Sequence, residues 1–237
     1  MQEKYLYAWI DFFTIIFPLI FSFLPFNNPF YKKWKAILPA LIVPGLLFLI
    51  WDAWFTSMGV WGFNSRYVSG LYIYNLPIEE VLFFVCIPYA CIFSYEAVRY
   101  YLKEDFFFNY SRMISVSLCI LSILIALLNF EKAYTVLTFF SLAIFIALAE
   151  WKWKAFFLSR FYLAYLFIII PFLLVNGILT GTGLEEPIVW YNNAENLNIR
   201  MATIPIEDTF YGMLLILMNI SLFEYLQKKS TKGETEQ

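Results

Sequence analysis

The chain has 237 residues, of which 62% are hydrophobic, 22% aromatic and only 14% charged. A soluble domain carries about 25% charged residues, so the composition excludes an ordinary water-soluble fold and indicates an integral membrane protein. The net charge of −2 comes without a basic patch, which argues against a nucleic-acid partner. No histidine is present, and that removes the usual general base and the commonest metal and haem ligand.

In chain order, residues 5–24 form a first apolar span. It contains Asp11 and lacks a small-residue cleavage site, so it reads as a retained helix and not a signal peptide. Residues 25–35 read as a loop marked by Pro25, Asn27, Asn28 and Pro29, followed by Lys32, Lys33 and Lys35. Helix 2 is expected over 36–55 and a long loop rich in Gly, Tyr and Trp over 56–76. Pro77 is expected as the first residue of helix 3, where proline is tolerated, and that helix runs to about 100. Helix 4 is expected near 112–130, helix 5 near 133–150 and helix 6 near 157–179. A second long loop covers 180–204, and Pro205 opens helix 7, which is expected to end near 226 with a frayed polar tail from Lys228. Each span approaches the ~20 residues that a bilayer requires.

Pro77-Ile78-Glu79-Glu80 recurs 128 positions later as Pro205-Ile206-Glu207-Asp208. A charged side chain deep in a bilayer costs about 2.5–3.5 kcal/mol on insertion scales, so an acidic pair placed twice in one frame points to use. Glu96 and Glu224 share that offset, as do Phe63-Asn64 and Tyr191-Asn192. Further upstream the offset is 124, where Asp52 faces Asn176, Thr56 faces Thr180 and Gly59 faces Gly183, so the second copy carries four extra residues before Tyr191. The repeat predicts an all-α membrane protein of seven transmembrane helices. Two parallel three-helix repeats, 1–102 and 132–237, would flank a spacer helix in 103–131.

Lys and Arg divide four against twelve between the two sides of this layout. The positive-inside rule then puts the N-terminus and both acidic motifs on the extracytoplasmic side of the cell membrane, and the C-terminus in the cytoplasm. Asp52 and Asn176 would lie in the last turns of helices 2 and 6 at the depth of the motifs, with Asn64, Arg66, Tyr67, Tyr191, Asn192 and Arg200 in the adjoining loops. Glu96 and Glu224 would sit roughly 25 Å further along their helices, with spacings suited to ion pairs with Arg99 and Lys228.

Each feature also has a plainer structural meaning. The acidic pairs could cap helices, Arg66 and Arg200 could anchor at the interface or pair with the carboxylates, and Trp51, Trp54, Trp61 and Trp190 read as an interfacial aromatic belt. Phe83, Phe84, Phe210 and Tyr211 could simply pack, or offer aromatic faces to a cation. Cys86, Cys91 and Cys119 have no metal or redox spacing and read as buried thiols. No G-x-G-x-x-G or phosphate-binding loop appears, so neither a nucleotide nor a flavin cofactor is expected. Carboxyl groups and aromatic faces at a lipid-accessible depth suit protonation of an apolar alkene and later removal of a proton.

At these residues the chain resembles the small integral-membrane lycopene cyclases, the heterodimeric or CarR-type carotenoid cyclases, here with both repeats in one chain. The resemblance is carried by Pro77-Ile78-Glu79-Glu80-Val81-Leu82-Phe83-Phe84, by Asn176-Gly177 with Leu179-Thr180-Gly181, and by Thr203-Ile204-Pro205-Ile206-Glu207-Asp208-Thr209-Phe210-Tyr211. Leu222-Phe223-Glu224 stands where the family has Leu-Tyr-Glu. The resemblance implies a redox-neutral, cofactor-free and metal-free lycopene β-cyclase acting on a linear polyene in the membrane, alongside other carotenoid-pathway enzymes. Acid and base would come from Glu79, Glu80, Glu207 and Asp208, tuned by Asp52, Asn176 and the arginines. The competing readings are a membrane prenyltransferase, which needs an aspartate cluster this chain lacks, a retinal protein, which needs a lysine within helix 7, and a non-enzymatic carotenoid or lipid binder.

Overall fold

The computed structural model describes residues 3–24 and 29–235. Among them, seven helices are long and apolar enough to cross a membrane. They are α1 (Leu6–Phe21), α2 (Trp34–Met58), α3 (Ile78–Tyr101), α4 (Ser111–Leu128), α5 (Ala133–Ala147), α6 (Leu158–Leu179) and α7 (Ile206–Thr235). Pro25, Asn27 and Asn28 of the expected first loop lie outside the described residues. The rest of that loop is not irregular throughout, because Phe30–Lys33 forms a 3-10 turn leading into α2. α7 continues past the expected end near 226 as far as Thr235.

Both long connections contain short strands. β1 (Trp61–Phe63) and β4 (Val189–Tyr191) pair antiparallel, with Trp61 opposite Tyr191, Gly62 opposite Trp190 and Phe63 opposite Val189. Residues 128 apart thus exchange places across the pair, so a local two-fold axis passes between Gly62 and Trp190. β2 (Tyr72–Ile73) with β3 (Leu76–Pro77), and β5 (Arg200–Met201) with β6 (Ile204–Pro205), form two tight hairpins. Each turn holds one residue at positive φ, Tyr74 at 59° and Ala202 at 55°, again 128 apart. A two-residue hairpin favours left-handed backbone in its turn.

The hairpins fix where α3 and α7 begin. Pro77 is not the first helical residue but the cap before it, with an extended ψ of 150°. Ile78 N–H bonds back to Leu71, and Ile206 N–H to Ile199. A capping box requires a backbone N–H at the cap position, and proline has none. Neither acid of the first pair can therefore complete a capping box with Pro77.

The far end of the bundle is held by ions. Glu96 pairs with Lys33 and with Arg99, the latter at 3.4 Å. Glu224 does not pair with Lys228 as its spacing predicts. It accepts from Arg99 at 2.8 Å and from the Tyr95 hydroxyl at 2.7 Å, while Lys228 lies 5.6 Å from the Phe156 ring centroid.

Candidate active site

The two members of each acidic pair point to different surroundings, because neighbouring residues on a helix are turned by about 100° from one another. Glu79 and Glu207 turn toward the loops. Glu79 Oε1 accepts the Ser69 backbone N–H at 2.7 Å. Glu207 Oε1 accepts the Leu197 N–H at 2.6 Å and the Thr135 hydroxyl at 2.7 Å. Ser69 and Leu197 are again 128 apart, so each first acid ties down the same point of its own connecting loop.

Glu80 and Asp208 instead line a single apolar cavity of about 600 Å³ bounded by α1, α3, α6 and α7. Asp52, Phe83, Asn176, Tyr191 and Tyr211 line it with them, as do Tyr7, Trp61 and Tyr134. Glu79, Glu207, Asn64, Arg66, Phe84, Asn192, Arg200 and Phe210 lie outside its lining. Arg66 bonds Glu3 and Glu185, each at 2.7 Å, and so fastens the N-terminal segment to the second long loop. Arg200 bonds the Thr203 carbonyl at 2.6 Å and Asn193 Oδ1 at 2.7 Å. Neither arginine pairs with a motif carboxylate in these contacts. Asn64 donates to Glu186 and caps Arg66 N–H, and Asn192 caps Ala194 N–H in the matching turn. Phe84 packs on Phe48, and Phe210 packs on Phe139 at 4.7 Å.

Around the cavity the two halves use equivalent positions with different chemistry. Glu80 accepts the Tyr7 hydroxyl at 2.6 Å, and Asp208 accepts the Tyr134 hydroxyl at 2.6 Å. In the first half Glu80 also meets a second carboxyl group, Asp52, within hydrogen-bonding contact. Asp52 Oδ1 accepts Trp61 Nε1–H at 2.5 Å, and the Thr56 hydroxyl lies close to the same carboxyl group. Two carboxyl groups can bond to each other only when one carries a proton. In the second half the place of Asp52 is taken by Asn176, whose amide donates to Asp208 Oδ2 at 2.7 Å. Tyr191 donates to the same oxygen at 3.0 Å. Burial, then the facing Asp208 charge, hold the Tyr191 hydroxyl well above the ordinary tyrosine range, so it remains a donor. Asp208 thus receives three donors that match a carboxylate, whereas Glu80 and Asp52 match a pair with a shared proton.

Aromatic faces close over these groups. The Trp61 ring lies 5.1 Å from Tyr134, 6.0 Å from Tyr191 and 6.1 Å from Tyr211. Trp61 is buried, and Trp51 packs 5.2 Å from Tyr211, so neither belongs to the expected belt. Trp54 and Trp190, which are exposed, fit it.

A family profile described as lycopene cyclase matches residues 4–98 and 131–226, two segments that bracket α4 and contain one acidic motif each. The chain belongs to the lycopene cyclase family. A stretch of 65 residues is 35% identical to a bifunctional lycopene cyclase/phytoene synthase of Phycomyces blakesleeanus, covering 27% of this chain and 11% of that protein. No solved structure matches the chain. Against this lycopene cyclase background, Tyr7, Trp61 and Tyr134 in the cavity lining and Asp11 outside it escape the sequence reading as site residues. Tyr7 and Tyr134 are recognisable only as equivalents 127 apart, each in the first turn of its helix. Asp11 is 2% exposed, is near enough to Glu79 and Glu80 for their charges to act on one another, and has no hydrogen-bond partner for either oxygen. Its signal was present in the sequence, since an ionisable residue inside an apolar span marks function by default.

Proposed function

We propose that the protein is a lycopene β-cyclase, an isomerase of the intramolecular lyase type, that closes the linear end group of lycopene into a β-ionone ring. The observation that carries this reading is one apolar cavity in which a carboxyl pair, Glu80 with Asp52, faces aromatic rings and a separate three-donor carboxylate, Asp208. The Glu80–Asp52 pair delivers its shared proton to the terminal double bond of the polyene. The π electrons of that bond form the new C–H bond and leave a tertiary cation. An internal double bond attacks the cation and closes a six-membered ring, moving the positive charge into the ring. Trp61, Tyr134 and Tyr211 present aromatic faces to that charge, an attraction of about 0.5–2 kcal/mol per face. Asp208 then removes a ring proton, its electrons form the ring double bond, and a proton returns to the carboxyl pair. No electron is gained or lost overall.

In this reading Glu79 and Glu207 position the loops that roof the cavity, and the acid-bearing end faces the extracytoplasmic side. Expression in cells that accumulate lycopene, followed by pigment analysis, tests the assignment. β-Ring products are expected from the wild type, with lycopene unchanged for Glu80→Gln at equal protein level. Lycopene that co-purifies with the wild type but is never converted would instead support a non-enzymatic carotenoid binder.

A further inference from the structure

The helices around the cavity are approximately two-fold related, but its lining is one-sided: α1 and α6 line it along much of their length, α2 and α5 only through Asp52 and Tyr134. The axis between Gly62 and Trp190 exchanges α1 with α5, α2 with α6 and α3 with α7, so the gap between α1 and α6 has a counterpart between α5 and α2. The lining of the first gap includes Val175, Leu179, Val189, Phe83 and Gly212. At the equivalent positions of the second stand Trp51, Phe55, Trp61, Tyr211 and Phe84. At four of the five positions a Gly, Val or Leu is replaced by a large aromatic ring. These rings interlock, with Trp51 and Phe48 at 5.2 and 4.9 Å from Tyr211, Phe55 at 4.9 Å from Trp61, and Phe48 at 6.1 Å from Phe84. Cores at this density leave no channel for a further chain.

The gap between α1 and α6 differs in its reach as well. From Glu80 the lining continues down α3 to Ser94, and along α1 to Pro18. Fourteen residues of helix correspond to ~21 Å, so the cavity is a slot running along the bundle, with the carboxyl groups at one end. Leu174 stands on its rim at 68% exposure, where the lipid would be.

We infer that a polyene reaches the carboxyl groups only through the gap between α1 and α6, with Trp51, Phe55 and Tyr211 sealing the counterpart. The protein therefore closes one end group per visit and releases a singly closed product to the lipid. This rests on the cyclase reading for its chemistry. Both acid-bearing half-sites feed one slot, so the second end of the same molecule cannot be processed until the first has left.

Leu174 and Ile50 are equivalent positions on α6 and α2, exposed to 68% and 69%. Leu174→Trp is expected to slow conversion at least tenfold by blocking the rim, and Ile50→Trp to stay within twofold of wild type. Equal slowing by both, or by neither, would overturn the access route. Adding unlabelled singly closed carotenoid to vesicles turning over labelled linear substrate is expected to dilute the label in the doubly closed product. Undiluted label there would overturn the one-end step. The amount of linear polyene that co-purifies with each variant reads the access route without catalysis. It should fall for Leu174→Trp alone, and a wild type that binds but never converts would sink the cyclase reading while leaving this result standing.

Discussion

Replacing Glu79 and Glu80 one at a time by glutamine separates a loop fastening from the proposed proton donor within two adjacent residues. At position 79 the glutamine carbonyl can still accept the Ser69 N–H that reaches Glu79 at 2.7 Å. What is lost is the charge assistance. Hydrogen bonds to charged groups contribute ~1.5–3 kcal/mol and neutral ones ~0.5–1.5 kcal/mol, so the change is about 1 kcal/mol of local stability. Against a total of ~5–15 kcal/mol the protein remains folded and inserted. Its turnover should stay within about threefold of wild type. At position 80 the amide cannot share a proton with Asp52 or pass one to an alkene, although the Tyr7 hydroxyl can still donate to it. The lower range for losing a general acid is ~100-fold, equivalent to ~2.7 kcal/mol of barrier at ~1.36 kcal/mol per tenfold. The assay is lycopene conversion in isolated membranes, normalised to inserted protein. If Glu79→Gln were as inactive as Glu80→Gln at equal protein level, or if Glu80→Gln cyclised within threefold of wild type, the division of roles between the two acids would be wrong.

Asp52→Asn gives the first half the carboxyl–amide pairing that Asn176 gives the second, and should lower turnover at least ~10-fold without changing protein level, as read by pigment conversion and immunoblot. Gly62→Ala places a Cβ against the Trp190 indole on the two-fold axis, so the ring must move and thermal stability in detergent should fall while the helices remain assembled. Turnover in heavy water should leave one deuterium on the methylene carbon beside the gem-dimethyl carbon of the new ring, and a product without it would exclude protonation of the terminal alkene. Single cysteines at Ser69 and Asn193, in a background lacking native thiols, should react with an impermeant reagent added outside the cell, whereas labelling only after lysis would reverse the proposed orientation.

The sequence alone determined the spans and the repeat. Lengths of apolar residues near 20 and the recurrence of Pro-Ile-acid-acid require no tertiary information, and all seven helices appear where the pattern predicts, with most ends displaced by a few residues and α7 running on to Thr235. The depth of the acids was legible for the same reason, since a motif at the start of α3 and another at the start of α7 must lie at one end of the bundle. Which acid of each pair enters the cavity was not legible. Glu79 and Glu80 are adjacent and chemically alike, and only the rotation of α3, set by the β2–β3 hairpin and by packing, directs one to Ser69 and the other to Asp52. The pairing of Arg66 with Glu3 and Glu185 depended likewise on loops from three parts of the chain meeting, which no local spacing encodes. The asymmetry of the site was written in the sequence as Asp52 against Asn176 and Trp51 against Val175. It became meaningful only when folding brought the two halves around one axis, because a difference between repeats has no chemical consequence until both face the same cavity.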